Sequence, residues 1–166
     1  MRVQPHGGSS AYVPQVGAGN LEFGLANELE TFYAVTGTVI YDKRPQQNLR
    51  VATVLTPFAS AMFVRKDSDI KSVKDLKGKR VPSGWASQKI IGVLMNGYLA
   101  NGGLSYADVE QVPVPNVVKG ADDFAAGKTD AFFFALGSGK VRETDAKVGG
   151  IRVIGLSDAP DAVADR

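Results

Sequence analysis

Residues 69–88, "DIKSVKDLKGKRVPSGWASQ", decide how the middle of the chain folds. The segment "SVKDLKG" predicts one helical turn that directs Leu76 inward and ends at Gly78. "KRVPSG" then predicts a short strand that ends at Pro82. A helix is predicted from Ser87, because apolar residues recur every three or four positions after it. This order of turn, strand, loop and helix is typical of a layered α/β protein.

The basic residues of this stretch raise the question of a phosphate or nucleic-acid site. Asp67, Asp69 and Asp75 lie among them, which is typical of a solvated surface. The net charge of the whole chain is only +2, so no heavily basic surface for nucleic acid is predicted. Lys79 precedes its strand, whereas the lysine of a phosphate-binding loop follows the glycines. We therefore expect these lysines to lie on the surface of the turn that positions the following strand and loop, and not to bind phosphate.

The composition is that of an ordinary globular protein, with 44% hydrophobic and 22% charged residues. The chain has no cysteine, which excludes a disulfide framework, a thiol nucleophile and a cysteine zinc site. No apolar run approaches the ~20 residues of a membrane span, and the first fifteen residues lack the apolar stretch of a signal peptide. His6 is the only histidine and has no clear acidic partner. No catalytic residue, cofactor or metal ligand is predicted.

Strands and helices are predicted to alternate along the rest of the chain. Strands are predicted at 21–27, 49–55, 60–68, 110–116, 129–139 and 151–158, and helices at 7–16, 28–37, 120–128 and 140–150. The strand at 49–55 is expected to be buried, because apolar and β-branched residues dominate it. Ser9 or Ser10 is expected to cap the first helix, which Pro14 limits.

Three acidic residues receive structural predictions. Asp122 and Asp123 are expected in the first turn of their helix, where the helix dipole favours acids. They are adjacent, so they point about 100° apart and cannot share a proton. Asp130 is expected to cap the turn that precedes its strand.

Glycine–serine turns recur three times where a strand ends and a helix begins. They are residues 7–10, 83–87 and 137–139. Glycine lets another group approach the backbone, and the first N–H groups of a helix have no internal partner. Each turn therefore predicts a donor-rich cup for a carboxylate or another small anion. In open α/β sheets, ligands bind beyond the carboxyl ends of the strands, where such cups lie.

The aromatic residues beside these turns are candidate walls for a binding cavity. Trp85 is the only tryptophan, and its place between a strand and a helix fits either a cavity wall or a cover for an edge of the domain. Phe132, Phe133 and Phe134 lie on one predicted strand, so alternation sends Phe133 to the other face. Core packing is expected for them, except that Phe134 adjoins the third turn.

Three segments in order resemble a known family. "PHGGSSAYVPQVGAGNLEFGLAN", "RKDSDIKSVKDLKGKRVPSG" and "ADDFAAGKTDAFFFALGSG" are similar to segments of the TAXI class of TRAP-transporter receptors, which are type II periplasmic solute-binding proteins. The likeness covers nearly the whole chain. The family's "G-S-x-G-G-T-Y-Y" loop has no counterpart here, and "GWASQ" replaces its "G-S-G-T". The resemblance therefore implies an internal piece of a longer protein.

The resemblance implies an α/β fold of the type II periplasmic-binding-protein kind, with two α/β lobes of which the first is incomplete. Residues 1–62 would be part of lobe one, 63–156 lobe two, and 157–166 a return segment or tail, with the strand at 61–64 as the crossover. The implied function is capture of a small carboxylate or an amino acid such as glutamate between the lobes. The partner would be a membrane permease, and the full-length protein would be periplasmic or extracytoplasmic.

The ligand contacts implied by the resemblance come from both lobes. Lobe one would supply polar contacts from Gly8, Ser9, Ser10 and Asn27, and lobe two would supply them from Ser83, Gly84 and Ser87. The walls of the cavity would be formed by Phe58, Trp85 and Phe134. Its rim would be completed by Gly137 and Ser138. An ABC-type binding protein and the effector-binding domain of a transcription regulator share this design and stay open. An enzyme is the remaining alternative and would need a base or nucleophile beyond His6.

Overall fold

The computed structural model describes residues 3–160 and residue 162 of the 166-residue chain. Within this part there are five α-helices and five strands. The helices are α1 (Ser9–Gly17), α2 (Glu28–Thr36), α3 (Lys89–Asn101), α4 (Val117–Ala125) and α5 (Gly139–Val148). The strands are β1 (Ser60–Arg65), β2 (Arg80–Gly84), β3 (Glu110–Val114), β4 (Ala131–Ala135) and β5 (Ile151–Ile154). The α/β fold class predicted from the sequence is confirmed.

The strands form two small sheets. In the first sheet β1 lies between β4 and β5 and is antiparallel to both, with Phe63 opposite Phe132 and Val153. In the second sheet β2 pairs with β3 in parallel, and Pro82 lies opposite Val112. The strand predicted to end at Pro82 continues to Gly84, because β3 supplies a partner along its whole length.

The helical turn predicted before β2 is confirmed as a 3₁₀ helix at Val73–Leu76. The Asp75 carboxylate fixes its start by accepting hydrogen bonds from the N–H groups of Lys71 and Ser72, at 2.9 and 2.8 Å. These bonds lower the pKa of Asp75. Leu76 is fully buried, as predicted, in the core that also holds Met95. The capping of this turn therefore places the buried side chain of Leu76 shortly before the start of β2.

Arg80 and Asp130 join the two sheets where β2 and β4 begin. The Arg80 guanidinium donates to both carboxylate oxygens, with Nη2–Oδ1 at 2.6 Å and Nε–Oδ2 at 3.1 Å. The Arg80 N–H also donates to Oδ2 at 2.8 Å, and the Asp130 N–H donates to the Arg80 carbonyl at 2.9 Å. The prediction that Asp130 caps the preceding turn is wrong, because its carboxylate is occupied by Arg80.

The two faces of the three-stranded sheet carry different cores. Phe132 stacks on Phe63 with ring centroids 5.0 Å apart and packs near Phe124 on one face. Phe133 points to the other face, where it meets the Tyr98 ring edge-on at 5.5 Å. The alternation predicted for the phenylalanine strand is confirmed.

Two predicted strands are absent from the described structure. Residues 21–27 contain only bends and irregular backbone, and residues 49–55 form no strand. The expected burial of 49–55 is also wrong, because Val51, Val54 and Leu55 are 71%, 85% and 69% exposed. A strand needs a neighbour for its backbone groups, and neither segment has one in the described chain.

Helix starts are the other place where the structure departs from prediction. Gly8, not a serine, is the N-cap of α1, and Pro14 lies inside that helix. Helix α4 begins at Val117 behind an Asn116 cap, so Asp122 and Asp123 lie beyond its first turn. These acids instead form ion pairs with three lysines: Lys140 with Asp122, and Lys119 and Lys128 with Asp123.

The lobe boundaries stay a prediction. The expected division after Met62 falls inside β1, whose residues pair continuously with β4. Residues 161 and 163–166 of the expected tail, and Met1 and Arg2 of the predicted first lobe, lie outside the described residues.

The Asp130 carboxylate should make the stability of the fold depend on pH. Its hydrogen bonds to Arg80 hold the pKa of Asp130 below its ordinary value. The stabilisation is therefore present above about pH 4, the ordinary range of an aspartate, and is lost as the pH falls through the lowered pKa. We expect Asp130→Asn to lower the thermal midpoint by several degrees at neutral pH. The loss should be much smaller at a pH below the lowered pKa of Asp130, because the carboxylate is protonated there in the unsubstituted protein as well.

Thermal unfolding followed by circular dichroism across this pH range would check the prediction. Asp69→Asn is the matched control, because the Asp69 side chain is 82% exposed and lies 3.4 Å from Lys79. Equal losses for Asp130→Asn at acidic and neutral pH would contradict it.

Candidate functional site

The first two glycine–serine turns meet in the structure. The Ser10 hydroxyl, in the first turn of α1, accepts a hydrogen bond from the Lys89 N–H at the start of α3, at 3.0 Å. The Asn116 side chain donates to the Gly7 carbonyl at 3.2 Å. A methyl group on Gly8 would lie 2.1 Å from the Ser87 carbonyl oxygen. Glycine at position 8 therefore permits a direct backbone contact between the two turns.

The loop from β2 to α3 is held in place by Trp85. This residue has a positive φ of 49° and follows Gly84, whose φ is 81°. Its side chain is 1% exposed, and its indole N–H donates to the Tyr106 hydroxyl at 3.0 Å. Tyr106 in turn donates to the Pro82 carbonyl at 3.1 Å. Trp85 thus lies in the core and orients the loop from behind, instead of forming an accessible cavity wall.

A pocket of about 380 Å³ lies beside the contact between α1 and α3. Its volume is in the usual range of small-molecule sites, roughly 300–1,000 Å³. Residues from α1, the loop after α2 and the start of α3 line it: Ser10, Pro14, Ile40, Tyr41, Arg44, Gln46 and Lys89. Two of these are cations, and none is a carboxylate. The pocket is therefore suited to an anionic ligand.

The two cations of the pocket are free to bind an anion. No ion pair involves Arg44 or Lys89 among the residues that the structure describes. The Arg44 Nε donates only to the Tyr41 carbonyl, at 3.4 Å, which leaves the rest of the guanidinium available. Arg44 precedes the predicted crossover and Lys89 follows it, so the pocket draws charge from both sides of that strand.

A buried acid lies behind the pocket wall. Glu30 of α2 is fully buried, and the Tyr41 hydroxyl donates to its Oε1 at 3.4 Å. Its Oε2 has no hydrogen-bond partner in the described structure. Burial raises the pKa of Glu30, and hydrogen bonds from Ser9 and Tyr41 oppose that shift. Burial and the neighbouring Glu30 also raise the pKa of Tyr41 well above its ordinary value. Behind the wall of the pocket there is thus a carboxyl group whose ionisation is opposed by its burial.

The remaining predicted contacts are spread more widely. Asn27 caps α2, since its side-chain oxygen accepts from the Glu30 N–H at 2.8 Å, and Ser9 and Ser83 are buried. Ser138 caps α5 by accepting from the Val141 N–H at 3.2 Å. Phe58 is 72% exposed, and Phe134 packs against the Phe63 and Phe132 core. No described hydrogen bond links the third turn, Gly137 and Ser138, to the first two.

Four polar residues of the pocket were not predicted from the sequence: Tyr41, Arg44, Gln46 and Lys89. Lys89 had a usable signal, because it follows the second glycine–serine turn at the first helical position. The other three lie in an irregular loop whose path depends on tertiary contacts. One of these contacts is the hydrogen bond from the Gln46 N–H to the Ala34 carbonyl, at 2.7 Å.

Neither a metal centre nor a membrane span is found within residues 3–160 and 162. Their histidine, aspartate and glutamate side chains form no group of three that could hold a metal ion. None of their helices is both long enough and apolar enough to cross a bilayer.

The chain belongs to the NMT1-like family, whose model matches residues 1–165. Three solved structures show what it is similar to. The periplasmic sulfonate-binding protein SsuA of Methylobacillus flagellatus KT is 30% identical over 58% of this chain, with a TM-score of 0.45. The aliphatic sulphonate-binding protein SsuA of Escherichia coli is 26% identical over 59% of it, with a TM-score of 0.45. An ancestral arginine-binding protein is 23% identical over 60% of it, with a TM-score of 0.43.

The chain spans only part of these proteins. The matched region covers 27% of the Methylobacillus protein, 30% of the Escherichia coli protein and 42% of the ancestral arginine-binding protein.

Gly8 and Gly7 allow the contact between the two turns to be tested. A methyl group at Gly8 collides with the Ser87 backbone, whereas at Gly7 it would lie at an ordinary 3.5 Å from the Ser87 hydroxyl. We expect Gly8→Ala to separate α1 from the loop before α3 and to lower the thermal midpoint. Hydrogen exchange should also become faster at the Lys89 amide. Gly7→Ala is the control and should leave both unchanged; equal effects of the two substitutions would contradict the prediction.

Glu30 should have the opposite pH dependence to Asp130. Because its pKa is raised in the folded state, the cost of ionising it appears as the pH rises above the ordinary pKa of about 4.3. We expect Glu30→Gln to raise the thermal midpoint at pH 7, with a gain that disappears toward pH 4. Glu28→Gln, at an exposed position of the same helix turn, serves as the control in the same thermal scans. A lower midpoint for Glu30→Gln at pH 7 would refute this prediction.

Proposed function

We propose that this chain is part of an extracytoplasmic solute-binding receptor of the TAXI class, which binds a small carboxylate or an amino acid such as glutamate for delivery to a membrane permease. The observation that carries the proposal is the pocket beside the meeting point of the first two glycine–serine turns. Membership of the NMT1-like family and the ordered motifs of the sequence support it.

The lining of the pocket matches the chemistry of a carboxylate. Arg44 presents several N–H donors in a planar fork, and Lys89 adds a second positive charge. Ser10, Tyr41 and Gln46 offer neutral polar contacts, while Pro14 and Ile40 offer apolar surface for the carbon body of the solute. A few charged groups within a partly apolar wall are the usual composition of a small-molecule site.

The position of the pocket also fits a receptor that closes on its ligand. Arg44 and Ser10 come from the part of the chain before β1, and Lys89 comes from the part after it. A solute that contacts both parts gains binding energy only when they are together, so it shifts the equilibrium toward that state. The closed state would then be the form that a permease recognises.

Binding is favoured over catalysis by the residues around the pocket. Its lining includes no histidine and no carboxylate. His6 is exposed, and its ring lies 5.7 Å from that of Tyr12. Glu30 is fully buried behind Tyr41 and is not part of the pocket lining. The groups that would serve as a general base are thus not placed against a bound solute.

A ligand panel on the full-length protein tests the proposal. Glutamate, glutamine, 2-oxoglutarate and small dicarboxylates, each at millimolar concentration, are compared by thermal shift and then by calorimetry. A ligand at 100 times its dissociation constant should stabilise the protein by about 2.7 kcal/mol. An alkanesulfonate and arginine form the comparison arm for an ABC-type binding protein. No shift with any carboxylate would exclude the carboxylate receptor.

The cations of the pocket provide the second part of the test. We expect Arg44→Gln and Lys89→Gln each to weaken carboxylate binding at least about tenfold, equivalent to 1.4 kcal/mol. Lys43→Gln is the matched control, because Lys43 is an exposed neighbour that does not line the pocket. Unchanged affinity in both pocket variants would place the ligand elsewhere.

A further inference from the structure

Helix α3 connects the candidate pocket to the place where the chain enters the three-stranded sheet. Its first residue, Lys89, lines the pocket, and the Lys89 N–H donates to the Ser10 hydroxyl at 3.0 Å. Tyr98 lies about 14 Å further along the helix, given the rise of an α-helix. The Tyr98 hydroxyl donates to the carbonyl of Ser60, the first residue of β1, at 2.7 Å. One helix therefore contacts the pocket and the start of β1.

The Ser60 carbonyl receives no backbone donor in the described structure. The Leu136 N–H donates to the Ala59 carbonyl at 2.9 Å. Because successive carbonyls point to opposite sides of a strand, the Ser60 carbonyl faces the side of β5. The ladder between β1 and β5 begins only at Met62, so the Ser60 carbonyl lies past its end. The Tyr98 hydroxyl thus occupies the place of a missing strand partner.

Tyr98 is held firmly enough to fix this contact. Its neighbour Leu99 is fully buried, and the Tyr98 ring meets that of Phe133 edge-on at 5.5 Å. Burial raises the pKa of Tyr98, so its hydroxyl remains a donor at neutral pH. At the end of α3 the Asn101 side chain exchanges hydrogen bonds with the Ser157 backbone, at 2.8 and 2.9 Å. The same helix therefore also holds the segment that follows β5.

The geometry of the pocket depends on where the chain enters β1. Arg44 and Ser10 precede β1, whereas Lys89 follows it. The segment that enters β1 at Ser60 is the covalent link between these two parts of the chain. A shift of Ser60 relative to α3 therefore changes the distance between the two cations of the pocket.

We propose that Tyr98 is a positioning residue for the pocket, because its bond to the Ser60 carbonyl sets the separation of Arg44 and Lys89 at which a ligand reaches both. Tyr98 does not itself line the pocket. A ligand that needs both cations binds only the fraction of molecules in which they are correctly placed, so the apparent dissociation constant rises as that fraction falls. The inference rests on the proposed function for its ligand, whereas the placement of the two parts can be measured without one.

Tyr98→Phe in the full-length protein tests the placement, because it removes the hydroxyl and keeps the ring. Spin labels are attached at Gln47→Cys and Lys77→Cys, two exposed positions on the two parts, and residues 1–166 contain no other cysteine. Without ligand, double electron–electron resonance should show a broader distance distribution in Tyr98→Phe. Tyr33→Phe is the matched control, since no hydrogen bond involves the Tyr33 hydroxyl among the described residues.

Calorimetry with glutamate and with 2-oxoglutarate gives the second readout. Tyr98→Phe should weaken binding about threefold to tenfold, the effect of losing one ordinary hydrogen bond, and Tyr33→Phe should leave it unchanged. A lower thermal midpoint with an unchanged distance distribution would show a structural role only and would overturn the inference. A broader distribution with unchanged affinity would overturn it as well. If neither ligand binds, the proposed function fails, and the distance distribution alone decides for or against the role of Tyr98.

Discussion

The ion pair between Arg80 and Asp130 is the interaction on which the arrangement of the two sheets depends. The carboxylate accepts from the Arg80 backbone as well as from its guanidinium, and the remaining guanidinium nitrogen donates to the Gly127 carbonyl at 2.7 Å. One residue pair thus fixes the start of β2, the start of β4 and the turn between α4 and β4. Because the starts of β2 and β4 are fixed relative to each other, the ends of these strands are fixed as well. The positions of the loops that follow the two strands are set in this way.

The candidate site is a consequence of that arrangement at the opposite end of β2. Gly84 and Trp85 turn the chain sharply, and the buried indole is tied through Tyr106 to the strand it follows. The loop is therefore rigid where it meets Gly8, and it holds the first residue of α3 against Ser10. The pocket and the pair of cations in it, Arg44 and Lys89, exist because two backbones approach closely at a glycine. A site built on such a contact responds to any change in the relative position of its two sides.

The part of the chain before β1 is stabilised less completely than the part after it. Its small core consists of Val13, Ala34 and Tyr41 with their neighbours, whereas the main core contains fifteen buried residues. It also holds a fully buried glutamate, one of whose oxygens has no hydrogen-bond partner among the described residues, and the exposed apolar side chains of Val51, Val54 and Leu55. One side of the pocket therefore rests on the smaller core, and the other side rests on the main core. Ligand binding is one way in which this weaker part can gain stability.

The sequence by itself determined the elements whose signals are local. The turn at Val73–Leu76 follows from its capping residues, α3 from its apolar spacing, and the two faces of β4 from strict alternation. The end of α2 follows in the same way from Gly37, which adopts the left-handed conformation. Each of these depends on residues within a few positions of each other.

Tertiary structure alone decided the rest, because each remaining feature depends on residues distant in sequence. Asp130 pairs with an arginine fifty positions away, and Trp85 enters the core because Tyr106 receives its N–H. Arg44 and Lys89 line one pocket only through the packing of α1 against the start of α3. Residues 49–55 have the composition of a buried strand, but a strand requires a neighbour, and the described chain brings none beside it. A local sequence pattern can indicate that a segment favours a strand. Only the tertiary structure determines whether a neighbouring strand is present to pair with it.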